Sequence, residues 1–298
     1  VIEMFKDELK EYVKSSNLVN MKEAGEGLYV LKYKKKVFYD GLWNRFIAEC
    51  RGSIVDADFN LVAYPFTKIY NYGIEKEAPK VSTDTKVTAF RKVNGFMVSV
   101  TIYKGELLVS TTGSTDSPYV AMARELINAE KYLELCKDWE GYTFMFECVH
   151  KDDPHIIPEK EGMYILGYRK NEWHSAVEHD PFTLMEFGHK LGCFVPESIT
   201  TNMVQLERLA KEAKHEGYVF YTDEGVSSKI KSPYYLTSKW VARNPRTDKL
   251  VDLNKDIKHN LDEEYYPLVD AIRANIVEYT AMDEQARLSW VRNYMEAL

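Results

Sequence analysis

No run of about 18 apolar residues occurs in the 298-residue chain, so no helix is expected to span a membrane. A signal-peptide pattern is missing too, because the stretch from Val1 to Lys10 is charged rather than apolar. The four cysteines, at positions 50, 136, 148 and 193, show no CxxC spacing. That argues against cysteine-held zinc and suits a reducing cytosol better than a disulfide framework. The seven histidines are scattered, and the nearest groupings, His150/His155 and His174/His179, lack a metal-ligand pattern. Internal repeats and low-complexity stretches are absent, which excludes solenoids and arrays. Positive charge is scarce as well: 39 Lys and Arg stand against 46 Asp and Glu, a net of -7. A broad basic surface that grips duplex nucleic acid is therefore not expected, although a narrow basic cleft is compatible with this balance.

What is present is enough apolar material for a sizeable core: 45% of residues are apolar, 29% charged and 13% aromatic. The length accommodates one large domain and a smaller one. Short apolar or alternating stretches predict strands at Tyr29–Tyr33, Gly52–Ala57, Leu61–Tyr64, Lys86–Lys92, Met97–Tyr103 and Leu107–Thr112, with a hairpin at Lys104-Gly105. Further strands are predicted at Thr143–Val149, Met163–Tyr168, Tyr218–Tyr221 and Val226–Lys231. Helical spacing predicts helices over Tyr119–Cys136, Phe182–Leu191 and Met203–Ala213, and again from about residue 262 onward, after a loop at Asn244–Asp248. The expected layout is α+β and largely antiparallel, with a main domain at 1–243 and a small helical C-terminal domain at 244–298.

One ordered set of charged residues carries chemistry. Lys92-Val93-Asn94-Gly95 puts a lysine at a strand end before an Asn-Gly turn. A lysine held there can act as a nucleophile if burial or neighbouring cations lower its pKa. Phe146-Glu147 ends an apolar strand with an acid, and Glu216-Gly217-Tyr218-Val219 opens another strand with one. In Lys229-Ile230-Lys231 the period of two puts both lysines on one strand face, where they can hold a phosphate oxyanion. Each element alone reads as easily as a surface hairpin, a strand-end carboxylate or a solvated sheet face. Together they occur in a fixed order, with steps of 55, 69 and 13 residues between the charged groups.

That order resembles the nucleotidyltransferase motifs of the covalent ligase and capping-enzyme superfamily. Lys92–Gly95 is similar to motif I, Phe146-Glu147 to motif III, Glu216-Gly217 to motif IV and Lys229–Lys231 to motif V, while Met163–Arg169 stands where motif IIIa does. The likeness spans roughly residues 28 to 242. Within the superfamily the chain most resembles the phage-type RNA ligases of the RNA ligase 1 group, through Ala48-Glu49-Cys50-Arg51-Gly52, Pro65-Phe66-Thr67-Lys68-Ile69-Tyr70-Asn71 and Ser110-Thr111-Thr112-Gly113-Ser114. Only about 60 residues follow motif V, and they read as helical. From Lys255 to Leu298 there are five Lys and Arg against nine Asp and Glu. This departs from the OB-fold domain of DNA ligases and capping enzymes, and it leaves tRNA preference open.

The resemblance implies an ATP-grasp-like adenylyltransferase fold and ATP-dependent joining of RNA 5′-phosphate and 3′-hydroxyl ends through lysyl-AMP and adenylylated RNA. Lys92 would be the nucleophile, with Lys229 and Lys231 neutralising the α-phosphate. Arg51 and Lys68 would contact the outer phosphates, and Tyr70 would pack against the adenine. Asn94 and Gly95 would shape the turn, while Glu147 and Glu216 would hold ribose hydroxyls or a metal, Glu216 being the candidate for Mg²⁺ or Mn²⁺. A monomer acting on broken RNA in the cytoplasm of a phage-infected or host cell is the matching expectation. The rival readings are a DNA ligase or capping-type enzyme with the same chemistry, and a catalytically silent nucleotide- or RNA-binding module.

Overall fold

Alternating side chains set most of this architecture, because a strand with one apolar face must bury it against a neighbour. The computed structural model describes residues 1–243 and 265–297. Among these, ten α-helices and twelve strands form a mixed α+β protein built on three antiparallel sheets. The predicted loop at Asn244–Asp248 lies outside the described residues.

The first sheet joins β1 (Val19–Glu23), β2 (Tyr29–Tyr33), β3 (Arg51–Val55) and β4 (Leu61–Ala63) in that order. The amphipathic helix α1 (Ile2–Ser15) buries Phe5, Leu9 and Val13, which recur every four residues and so share one face. They pack in one cluster with Leu31, Val37, Trp43, Tyr64 and Trp173. Between β2 and β3 lie the short helix α2 (Lys35–Asp40), ended by Gly41 in the left-handed conformation, and a 3₁₀ turn at Ile47–Glu49.

The second sheet has the order β10 (Ser198–Asn202), β5 (Lys86–Arg91), β11 (Gly217–Thr222), β12 (Ser227–Lys231). The third has β7 (Glu106–Ser110), β6 (Phe96–Tyr103), β8 (Tyr142–Val149) and β9 (Gly162–Lys170). β6 and β7 meet at the predicted hairpin, with Tyr103 opposite Glu106. Lys104 and Gly105 both have positive φ, 49° and 80°, as a two-residue hairpin turn that follows the sheet twist requires. The largest apolar cluster covers this sheet with α3 (Pro118–Leu126), α4 (Ala129–Asp138) and α5 (Pro181–Leu191). Helix α6 (Met203–Glu212) packs Met203 and Leu206 against Val87, Ala89 and Phe220 of the second sheet.

The single helix expected over Tyr119–Cys136 is two helices. The chain is extended at Ile127 and Asn128, and the Asn128 side chain accepts from the Lys131 N–H, so a capping residue interrupts the apolar spacing and restarts it. Beyond β12, α7 (Pro233–Arg243) shares a core with α8 (Tyr266–Ala274), α9 (Ile276–Ala281) and α10 (Glu284–Ala297). Ile156 and Ile157, from the loop between β8 and β9, reach into that same core.

Candidate active site

The turn between β5 and β6 brings the second and third sheets together. β5 is central in its sheet, and the pairing of Arg91 with Tyr218 sets the end of the strand beside the start of β11. Lys92 continues this contact: its N–H donates to the Gly217 carbonyl at 2.8 Å, and its Nζ lies 3.0 Å from Glu216 Oε1. Asn94 is buried, and its amide splits its two functions, with Nδ2 donating to Glu216 Oε2 and Oδ1 accepting from the Ile157 N–H, both at 3.0 Å. The Gly95 N–H donates to Glu147 Oε2 at 3.0 Å. A Cβ on Gly95 would stand 2.2 Å from the Cys148 carbonyl oxygen, so only glycine allows β6 to approach β8 this closely. Gly217 is constrained in the same way, at φ 134° with a would-be Cβ 2.0 Å from the Ile230 carbonyl oxygen.

Two buried carboxylates therefore face one half-buried ammonium. Burial disfavours the charge on Lys92, but Glu216 first and Glu147 next outweigh it and hold the amine above its ordinary pKa. The expectation of a lowered Lys92 pKa thus fails for the nucleotide-free protein, because the carboxylates outweigh the cations around this amine. Burial pushes Glu147 up to about 7, against the opposing pull of Lys92.

The cations gather on the other side. Lys229, in β12, is lowered to about 6 by burial and then by Lys68, Lys231, Lys92 and Arg51. Lys231 is lowered to about 8 by burial and by Lys92. Lys68 is buried beside the ring of Trp43, 4.6 Å from its centroid, with Glu75 at 3.7 Å. The Nε of Arg51 is buried and has no hydrogen-bond partner. Four basic groups with an unsatisfied donor among them form a place for a polyanion, which would supply the missing acceptors.

Between carboxylates and cations opens a cavity lined by Arg51, Lys92, Glu147 and Lys229. Its apolar walls are Phe66, Ile69, Phe90, Leu166, Val219 and Tyr221. They give the cavity an apolar, partly aromatic lining, and His179 stacks on Tyr221 with ring centroids 3.6 Å apart. Sequence reasoning missed these walls, although Phe90 and Lys92, and Val219 and Tyr221, lie two residues apart and so share strand faces. It also missed Arg91, whose guanidinium makes four hydrogen bonds of 2.7–3.0 Å to the Glu159 carboxylate. Tyr70 is off the cavity wall and packs edge-on against Trp43, with its carbonyl accepting from the Lys229 N–H at 3.0 Å. Arg169 is likewise structural: it donates to the Pro65 carbonyl and Thr67 Oγ1, fixing the segment that carries Lys68.

Among the described residues no group of three or more His, Cys, Asp or Glu side chains could hold a metal ion. Glu216 and Glu147 offer two carboxylates facing the same amine, a donor set suited to a cation that keeps most of its waters.

The fold is shared with known ligases. An archaeal ATP-dependent RNA ligase, in two forms, superposes with TM-scores of 0.56 and 0.55 at 14% identity, over 99% of this chain and 80% of that one. A protein of Aquifex aeolicus described as an ATP-dependent DNA ligase superposes with a TM-score of 0.54 at 15% identity, over 97% of this chain and 77% of that one. No curated protein matches the sequence. The sequence model of the RNA ligase family matches residues 49–235, well over half of the chain, from the 3₁₀ turn ahead of Arg51 to the first turn of α7, and the chain belongs to that family.

Proposed function

We propose that the protein joins RNA ends at the expense of ATP, in three phosphoryl transfers, as a monomer engaged in RNA repair. The observation that carries this reading is the meeting of Lys92 with Arg51 and Lys229 across one apolar-walled cavity, with Lys68 and Lys231 close enough to Lys229 to act on its charge. In the first transfer, Lys92 Nζ attacks the α-phosphorus of ATP and pyrophosphate leaves, forming a phosphoramidate. The 5′-phosphate of an RNA end then attacks this adduct, freeing the lysine and capping the RNA with AMP. Finally a 3′-hydroxyl attacks the activated end and AMP departs. Positioning and charge neutralisation dominate such reactions.

Lys229 and Lys231 neutralise the α-phosphate, and Lys231 also steadies the leaving group. Arg51 and Lys68 hold the outer phosphates. The adenine lies against Phe66, Phe90 and Tyr221. Before attack Lys92 must shed a proton, and Glu216 Oε1, at 3.0 Å, is its nearest acceptor. A divalent cation held by Glu216, with Glu147 beside it, would supply positive charge against the carboxylates that otherwise favour the ammonium.

The test is incubation with α-labelled ATP and Mg²⁺ without RNA, followed by denaturation and detection of label on the chain. Label is expected on the parent protein and on a Lys170→Ala control, and none on Lys92→Ala. A folded protein that takes no label from ATP or GTP, with Mg²⁺ or Mn²⁺, would overturn the ligase reading. Label from GTP in preference to ATP would point to capping chemistry instead.

A further inference from the structure

The reaction cavity continues beyond Lys92. Met97 and Thr112 on its wall also line a second groove. Its floor is rich in small hydrogen-bonding groups, from Thr111 to Ser114, and its rim carries Lys32, His155 and Arg243. His155 is matched by Asp153 at 2.7 Å and Arg243 by Glu284 at 3.4 Å. Lys32 has no carboxylate partner among the described residues, and its side chain lies along Gly113, with Nζ 3.2 Å from where a Cβ would stand.

Lys32 opens the run Lys32-Tyr33-Lys34-Lys35-Lys36-Val37-Phe38-Tyr39, the one place in this acidic chain where four lysines fall within five residues. None of the four is ion-paired among the described residues. Helix α2 fastens to the core through buried Val37 and turns Phe38 and Tyr39 outward, at 61% and 77% exposure, with ring centroids 5.6 Å apart. They stand three and four residues after Lys35, one helical turn away on the same side. A rank of unmatched cations beside exposed aromatic faces is the arrangement that binds a single strand, with phosphates on the lysines and unpaired bases on the rings. Paired bases could not present their faces to these rings.

We propose that the run Lys32–Tyr39 and the groove it borders form the docking path of the single-stranded RNA that enters the reaction cavity. Lys32 meets the phosphate nearest the reacting end, Lys34, Lys35 and Lys36 meet those beyond, and Phe38 and Tyr39 stack the bases. The path rests on the ligase reading, since it is drawn from the cavity that holds Lys92.

The experiment is anisotropy of a fluorescent single-stranded oligoribonucleotide with the full chain over a range of salt. Two variants are compared with the parent: F38A/Y39A and K34A/K35A/K36A. Both should keep ATP labelling of Lys92 at the parent level, which also reports that they are folded. The ring variant should bind about tenfold more weakly or worse. The lysine variant should flatten the slope of log K against log salt by about 2, at roughly 0.7 for each phosphate no longer neutralised. Unchanged affinity and slope in both variants would overturn the proposal, as would a parent protein that binds blunt duplex RNA as tightly as the single strand. Loss of RNA binding in the variants, from a parent that takes no label on Lys92, would support the docking path and sink the ligase reading.

Discussion

Within one cavity two lysines keep opposite electrostatic company. Lys92 faces carboxylates and is held above its ordinary pKa, whereas Lys229 faces cations and falls to about 6. At about pH 7.5 the Lys229 amine is therefore mostly neutral in the nucleotide-free fold. A bound polyphosphate favours its charged form, so nucleotide binding should take up close to one proton between about pH 6.5 and pH 7.5, below the range where Lys231, lowered to about 8, adds its own uptake. Calorimetry in buffers of differing ionisation enthalpy reads this directly. Lys229→Met should abolish most of the uptake, and proton release by the parent protein would contradict the account. Linkage gives the sign for stability. The unfolded chain, with the higher pKa, binds more protons in this window, so the nucleotide-free fold gains stability as pH rises through it. The charged residues that line the cavity, Arg51, Lys92, Glu147 and Lys229, were singled out from the sequence by motif order, whereas its apolar walls were not, and Tyr70 lies off the wall. The direction of the Lys92 shift was not legible, since it depends on whether Glu216 or Lys229 stands nearer, and those residues lie 124 and 137 positions away.

At the scale of elements, the β5–β6 turn works because β6 and β8 are drawn close at Gly95. Gly95→Ala should cost about 1–3 kcal/mol, the range for forcing extra atoms into a packed site, because its Cβ would meet the Cys148 carbonyl oxygen. It should also weaken Lys92 labelling by displacing the N–H that Glu147 accepts. Gly105→Asn, at a hairpin turn with no neighbour within 4 Å of a would-be Cβ, should be almost neutral by comparison. Urea unfolding of both variants decides this, and equal stabilities would remove the steric argument. Strands with a buried face announced themselves by alternation. β1 and β10 did not, because each is an edge strand exposed along nearly its whole length and carries no apolar rhythm to read. Helix α1 did carry a signal in Phe5, Leu9 and Val13, but charged residues between them mask it in a simple scan.

For the whole molecule, the terminal helices are more than an appendage. Their core holds Leu268, Ile272, Val291 and Met295 together with Tyr234 and Tyr235 of α7 and Ile156 and Ile157 of the β8–β9 loop. The Ile157 N–H then donates to Asn94, two residues from Lys92. Ile272→Ala should cost about 2–5 kcal/mol, as buried Ile truncations do. It should also lower ATP labelling in mild urea, although Ile272 is remote from the cavity. Labelling that persists where circular dichroism shows the helices melted would break the link. The sequence marked these helices by their spacing and acidity, but the loop that ties them to the lysine turn could not be read from it, since Ile156 and Ile157 look like any apolar pair.

This tie has a consequence for the chain while it is being made. The helices are the last of these parts to leave the ribosome, and until they arrive Ile156 and Ile157 have only α7 of that core beside them. The brace behind the Asn94 turn is therefore completed after every charged residue of the site already exists. A nascent chain is thus expected to complete the packing behind the Asn94 turn only once these helices have been translated.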